Sequence, residues 1–70
     1  MKYQNGDKVL IKSKITEYTC VHRDFYFDRD MYKWRGKEMT IKSRSMTFYD
    51  MVEDNGEWAW TDEMIECKVS

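Results

Sequence analysis

Seventy residues with 12 Lys and Arg against 13 Asp and Glu carry a formal net charge of −1. A chain this short buries only ~60% of the surface its unfolded form exposes, so it has room for one compact core and no deep substrate cavity beside it. A pI near 5.8 argues against a surface that is basic overall, as most nucleic-acid-binding domains are.

The whole span, 1–70, reads as a single domain. Its charge is uneven: residues 1–44 hold eleven Lys or Arg against six Asp or Glu, and residues 45–70 hold one Lys against seven Asp or Glu. An aromatic content of 16% suits a small core, because each ring buries a large area for few rotatable bonds. Two cysteines are too few for a disulfide scaffold. The start MKYQNGDK lacks the apolar run of a secretory signal. No apolar run exceeds three residues, so no membrane span is expected, and a reducing cytoplasm is the expected setting.

In chain order, Asn5-Gly6-Asp7 is a turn, and residues 8–12 alternate as a strand with Val9 and Ile11 inward. Residues 14–35 form a long polar and aromatic connection that contains a short helix. Asp28 is its N-cap, accepting from the amide of Asp30 or Met31. Phe27 before the cap and Tyr32 at the fourth helical position are spaced for a hydrophobic staple. Phe27, Met31 and Trp34 share a face, and Gly36 stops the helix in a left-handed conformation.

Period two returns in residues 37–44, with Met39 and Ile41 inward and Lys42 outward. Ser45 turns the chain into a strand over 46–53, where Tyr49 and Met51 face inward in preference to Phe48 and Val52. Asp54-Asn55-Gly56 carries the residues of a type I′ hairpin turn, and residues 57–60 are its return strand, with Trp58 and Trp60 on one face. Thr61 caps a helical turn over 62–65, whose early acidic residues suit the positive end of the helix dipole, and residues 66–69 close the sheet.

The predicted fold is thus all-β: an SH3-like small barrel of about five strands, with one short helix in the long first loop and a helical turn before the last strand. An OB-fold fits less well, since it expects longer strands and a helix between the third and fourth. Val9, Ile11, Met39, Ile41 and Trp60 are the predicted core.

Gly6-Asp7-Lys8-Val9, Ile11-Lys12-Ser13, Met31, Trp34-Arg35-Gly36-Lys37, Thr40-Ile41, Glu53-Asp54-Asn55-Gly56 and Trp60-Thr61-Asp62-Glu63-Met64 together resemble the YorP-like group. These are small uncharacterised SH3-like-barrel proteins of phages and prophages in low-GC Gram-positive bacteria. The likeness runs over most of the chain and departs most in residues 14–24. It implies a fold and a phage or prophage setting, and it brings no catalytic residues with it.

Candidate chemistry is sparse. Cys20, His22 and Cys67 are the only soft metal ligands, whereas structural zinc takes four in paired clusters. A Cys–His catalytic pair would need an orienting third group and an oxyanion site that nothing here specifies. The acidic residues do not form a calcium loop, and the three glycines are isolated, so no phosphate loop exists. No enzyme activity, cofactor or metal is expected.

The aromatic side chains exceed what so small a fold can bury completely. The expected function is therefore a non-catalytic protein-binding module whose partner is a host or phage protein. It would bind through an exposed aromatic and basic surface of the long first loop, with Tyr26, Tyr32, Lys33, Trp34 and Arg35 as candidate binding residues. The alternative is a nucleic-acid-binding barrel that uses the basic and aromatic residues of 23–37 for phosphate contact and base stacking. The fold itself is expected to need neither metal nor disulfide. Thermal melts with and without chelator or reductant should superimpose, and Cys20 and Cys67 should titrate as two thiols after denaturation without reductant. Loss of folded structure on either addition would overturn that expectation.

Overall fold

The alternation in residues 8–11 and 38–44 forms the centre of one antiparallel sheet. The computed structural model describes residues 2–17 and 25–69. Strand β1 (Lys8–Ile11) pairs with β2 (Glu38–Arg44) on one side and with β4 (Ile65–Lys68) on the other, while β3 (Tyr49–Met51) pairs with the far half of β2. The order across the sheet is β3-β2-β1-β4.

Val9, Ile11, Met39 and Ile41 are all buried, as their spacing predicts, and so are Tyr49, Met51 and Trp60. Phe27, Met31 and Met64 complete the interior with Ile15, Ile65 and Tyr3. β2 serves two neighbours: Met39 lies opposite Val9, and Ile41 lies opposite Met51. The β2–β3 register shifts between Ile41 and Ser43, a bulge that bends the strand where its partner changes. A second shift sets Leu10 opposite Cys67 but Ile11 opposite Ile65, leaving Glu66 as an extra residue on β4.

The long connection after β1 ends in a six-residue 3-10 helix, Arg29–Trp34. Its start follows the predicted chemistry. The Asp28 carboxylate accepts from the Asp30 amide at 2.8 Å, and the Met31 sulfur accepts from the Asp28 amide at 3.2 Å. The staple forms too, with the Phe27 and Tyr32 rings stacked at 5.7 Å between centroids. Gly36 has the expected positive φ of 73° in a type II turn: Arg35 has φ −60° and ψ 131°, and the Lys37 amide donates to the Trp34 carbonyl at 3.0 Å.

The second half departs from its predicted outline. β3 keeps only three of the eight expected residues. Before it, the Ser45 hydroxyl accepts from the amides of Thr47 and Phe48 and holds a turn. After it, the chain closes on itself. The Gly56 amide donates to the Met51 carbonyl at 3.1 Å and the Asn55 amide to the Val52 carbonyl at 3.0 Å, the paired bonds of a Schellman stop. Asn55 and Gly56 do take positive φ values of 56° and 73°, and Glu57 donates to the Asp54 carbonyl at 3.1 Å across them. The turn is formed as predicted, but it does not join two ladder strands.

The predicted return strand over 57–60 is reduced to one bridge, Trp60 with Tyr49. The Trp58 amide bonds the Asp54 carboxylate at 3.2 Å instead of entering a ladder. The last helical turn is a 3-10 segment, Asp62–Met64. Thr61 occupies its cap position without a side-chain bond, the hydroxyl being buried with no partner among the described residues.

Two buried rings carry polar atoms into this core. Asp54 accepts from the Trp60 indole at 2.9 Å, and from the amides of Gly56 at 3.1 Å and Trp58 at 3.2 Å. The Tyr49 hydroxyl accepts from the Tyr3 amide at 3.0 Å and donates to the Asp62 carboxylate. Burial first, and the Asp62 hydrogen bond second, push the Tyr49 phenol up to about 12. The folded chain thus holds this proton more tightly than the unfolded chain, in which tyrosine ionises near 10. The stability it contributes is complete below about pH 10 and is lost as pH rises through about 12. Melting temperatures across that window should fall less steeply for Tyr49→Phe than for the parent. Asp54→Ala, which strands a buried indole N–H, should cost about 1–3 kcal/mol or more in urea denaturation, and Asp54→Asn less because one acceptor remains.

Candidate functional site

Phe27 is fully buried, and this fixes what its neighbours do. With that ring held inside, Tyr26 is turned outward and is 51% exposed, while Asp28 opens the 3-10 helix at the surface. From a segment distant in sequence, Asp54 anchors the Trp58 amide, and the Trp58 ring lies half-buried against the core. The two segments face each other across a shallow cleft of about 170 Å³. Phe25, Tyr26, Asp28, Met31, Trp58 and Ala59 line it. Phe25 is itself braced by Phe48, with 5.1 Å between ring centroids.

The predicted binding residues separate into groups. Tyr26 lies on the cleft. Tyr32 and Arg35 clip the first loop to the helix: the Glu17 amide donates to the Tyr32 hydroxyl at 3.0 Å, and Arg35 donates to the Ile15 carbonyl at 3.1 Å. The Arg35 guanidinium also lies 4.1 Å from the centroid of the Tyr32 ring, a cation–π contact. These contacts hold Ile15 in the core, where it is 2% exposed.

Lys33 is exposed, with its ammonium 5.7 Å from the centre of the Trp34 ring. Trp34 packs partly against the core, and its indole N–H is buried with no partner among the described residues. Neither residue lines the cleft. Arg29 also belongs to the basic stretch and faces Glu17 at 3.5 Å. Arg23 lies outside the described residues, as do Cys20 and His22.

Phe25, Asp28 and Trp58 take part in the cleft, although the sequence does not mark them as binding residues. A cap residue and a tryptophan next to a core tryptophan each have a sufficient structural reason to be there. The signal in the sequence is the number of aromatic side chains, Trp58 among them, which exceeds what so small a core can bury completely.

The electrostatics of the cleft differ from those of the sequence segment that supplies it. Asp28 is the charged residue among the described lining side chains, and the exposed Asp30 and Glu57 are chain neighbours of that lining. A second hollow of about 220 Å³ lies at the other end of the first loop, lined by Lys12, Ser13, Lys14, Ile15 and Glu66. Cys67 is an exposed free thiol on β4. Among the described residues, no helix is long and apolar enough to cross a membrane. No known family model, curated protein or solved structure matches the chain at a significant level.

Proposed function

We propose that this chain is a non-catalytic protein-binding module with an SH3-like barrel fold, of phage or prophage origin, acting in the host cytoplasm. The fold reading is supported by the succession Trp60-β3-β2-β1-β4, in which the Trp60–Tyr49 bridge stands where a fifth strand would pair. The long first loop and the 3-10 turn before β4 fit the same reading. The phage setting rests on the sequence resemblance alone.

One observation carries the binding reading: Tyr26, half exposed, shares a concave surface with Trp58 and Phe25. Aromatic side chains in a shallow, largely preformed depression concentrate interface energy, because they bury much area at little entropic cost. The binding residues under this reading are Tyr26, Trp58 and Phe25. Tyr32 and Arg35 hold the loop that presents Tyr26 and Phe25. Nucleic acid fits the surface less well, since a carboxylate lines the aromatic cleft, and Arg35 and Arg29 are engaged within the chain.

The test is capture of a partner from host or phage-infected cells with the immobilised chain. Capture should survive nuclease treatment, and Tyr26→Ala or Trp58→Ala should reduce it about tenfold or more, in keeping with anchor residues worth about 2 kcal/mol. Circular dichroism melts would show that each variant is folded. Steeply salt-dependent binding to random-sequence DNA or RNA, lost in a Lys33→Glu/Lys37→Glu variant, would reject this reading in favour of nucleic acid.

A further inference from the structure

Among the described residues, the lining of the cleft combines aromatic side chains with one formal charge, that of Asp28. The Asp28 side chain is not free to turn away. It caps the 3-10 helix through one carboxylate oxygen, which accepts from the Asp30 amide at 2.8 Å. Capping thus fixes a negative charge beside Tyr26 and Trp58. The backbone immediately around adds more of the same sign at Asp30 and Glu57, both exposed. The nearest basic residue in sequence, Arg29, is directed to Glu17 instead.

A neutral apolar side chain would leave this carboxylate partly desolvated and uncompensated, whereas a cation satisfies it. Guanidinium suits the lining better than ammonium. It is planar and weakly hydrated, stacks on aromatic rings and donates in the plane of a carboxylate. Arg35 already makes such a contact with Tyr32, 4.1 Å from the ring centroid, elsewhere on the same loop.

We propose that the occupant of the cleft is an arginine side chain of the partner protein, lying against Tyr26 and Trp58 with Asp28 as its counter-charge. This rests on the protein-binding reading above and names the chemistry of that partner at this point. The partner segment is therefore basic, and its affinity weakens with salt through this ion pair.

The probe is N-acetyl-arginine amide, titrated into the full chain while the Trp58 indole N–H resonance is followed by NMR. N-acetyl-citrulline amide, the neutral isostere, and N-acetyl-lysine amide are titrated in parallel. The arginine probe should shift the Trp58 signal with a roughly millimolar dissociation constant, as suits so few contacts. Citrulline should bind at least about tenfold more weakly, and lysine measurably more weakly. Asp28→Asn is the informative variant, because asparagine caps a helix as well as aspartate does and only the charge is lost. It should weaken the arginine probe about tenfold and leave the melting temperature nearly unchanged.

Equal binding of arginine and citrulline, an unaffected Asp28→Asn variant, or lysine matching arginine would each overturn the assignment. So would a Trp58 signal that responds to none of the three probes. The protein-binding reading fails separately, by loss of nuclease-resistant capture or by capture indifferent to Tyr26 and Trp58.

Discussion

Two aromatic side chains at the centre of this small core each carry a polar atom that must be bonded, and the chain meets that demand with two carboxylates. A buried indole or phenol left without a partner costs more than a typical hydrogen bond contributes. The Trp60 indole therefore ties the interior to Asp54, and the Tyr49 hydroxyl ties it to Asp62. Asp54 in turn gathers the amides of Gly56 and Trp58, which sets the tight turn and the direction in which the chain leaves it. The Tyr49 hydroxyl receives the Tyr3 amide, which draws the N-terminal segment onto the sheet. A core of this size could be made from aliphatic side chains alone. The aromatic solution adds directional bonds, and those bonds fix segments that have little ladder pairing of their own.

The same demand explains which parts of the fold were legible in the sequence. β1 and the first half of β2 follow from alternation, since Val9 and Ile11, or Met39 and Ile41, make one face wholly apolar while the other carries the charged residues. Local chemistry was equally readable at Asp28, Gly36 and Asn55-Gly56, where a cap or a positive φ leaves few alternatives. Residues 46–53 were not readable as a length of strand, because apolar side chains fall on both faces and cannot show where pairing stops. Pairing ends where Ser45 and the stop around Asn55 take the backbone bonds. The return strand failed for a related reason: a carboxylate six residues before Trp60 competes for the amide that a ladder would use.

At the cleft, the side chains are grouped differently from their order in the sequence. Residues 23–37 are basic and aromatic in sequence, but a loop can turn such side chains toward each other as easily as toward a partner. Arg35 and Tyr32 do face each other, and they spend their charge and area on seating Ile15. Tyr26, half exposed, shares the cleft with Trp58 from a distant segment and with an acidic cap. Burial of Phe27 decides this, because a fully enclosed ring at one position of an extended stretch directs its neighbours outward.

The register shift on β4 bears on how copies of this chain meet one another. A sheet ends in strands whose outer backbone groups lack partners, and a long flat edge of that kind recruits neighbouring strands into aggregates and fibrils. β4 is four residues long, carries Glu66 as an inserted residue, and exposes Glu66, Cys67 and Lys68. Lys68 is also drawn sideways to Asp7, 3.5 Å away. An incoming strand would find the spacing broken within one residue pair and charged groups on both sides of the break. The opposite edge is shorter still, three residues of β3 with Tyr49 already bridged by Trp60. A domain with so little surface to spare is thus guarded against fibril growth at its two weakest lines by irregularity rather than by bulk.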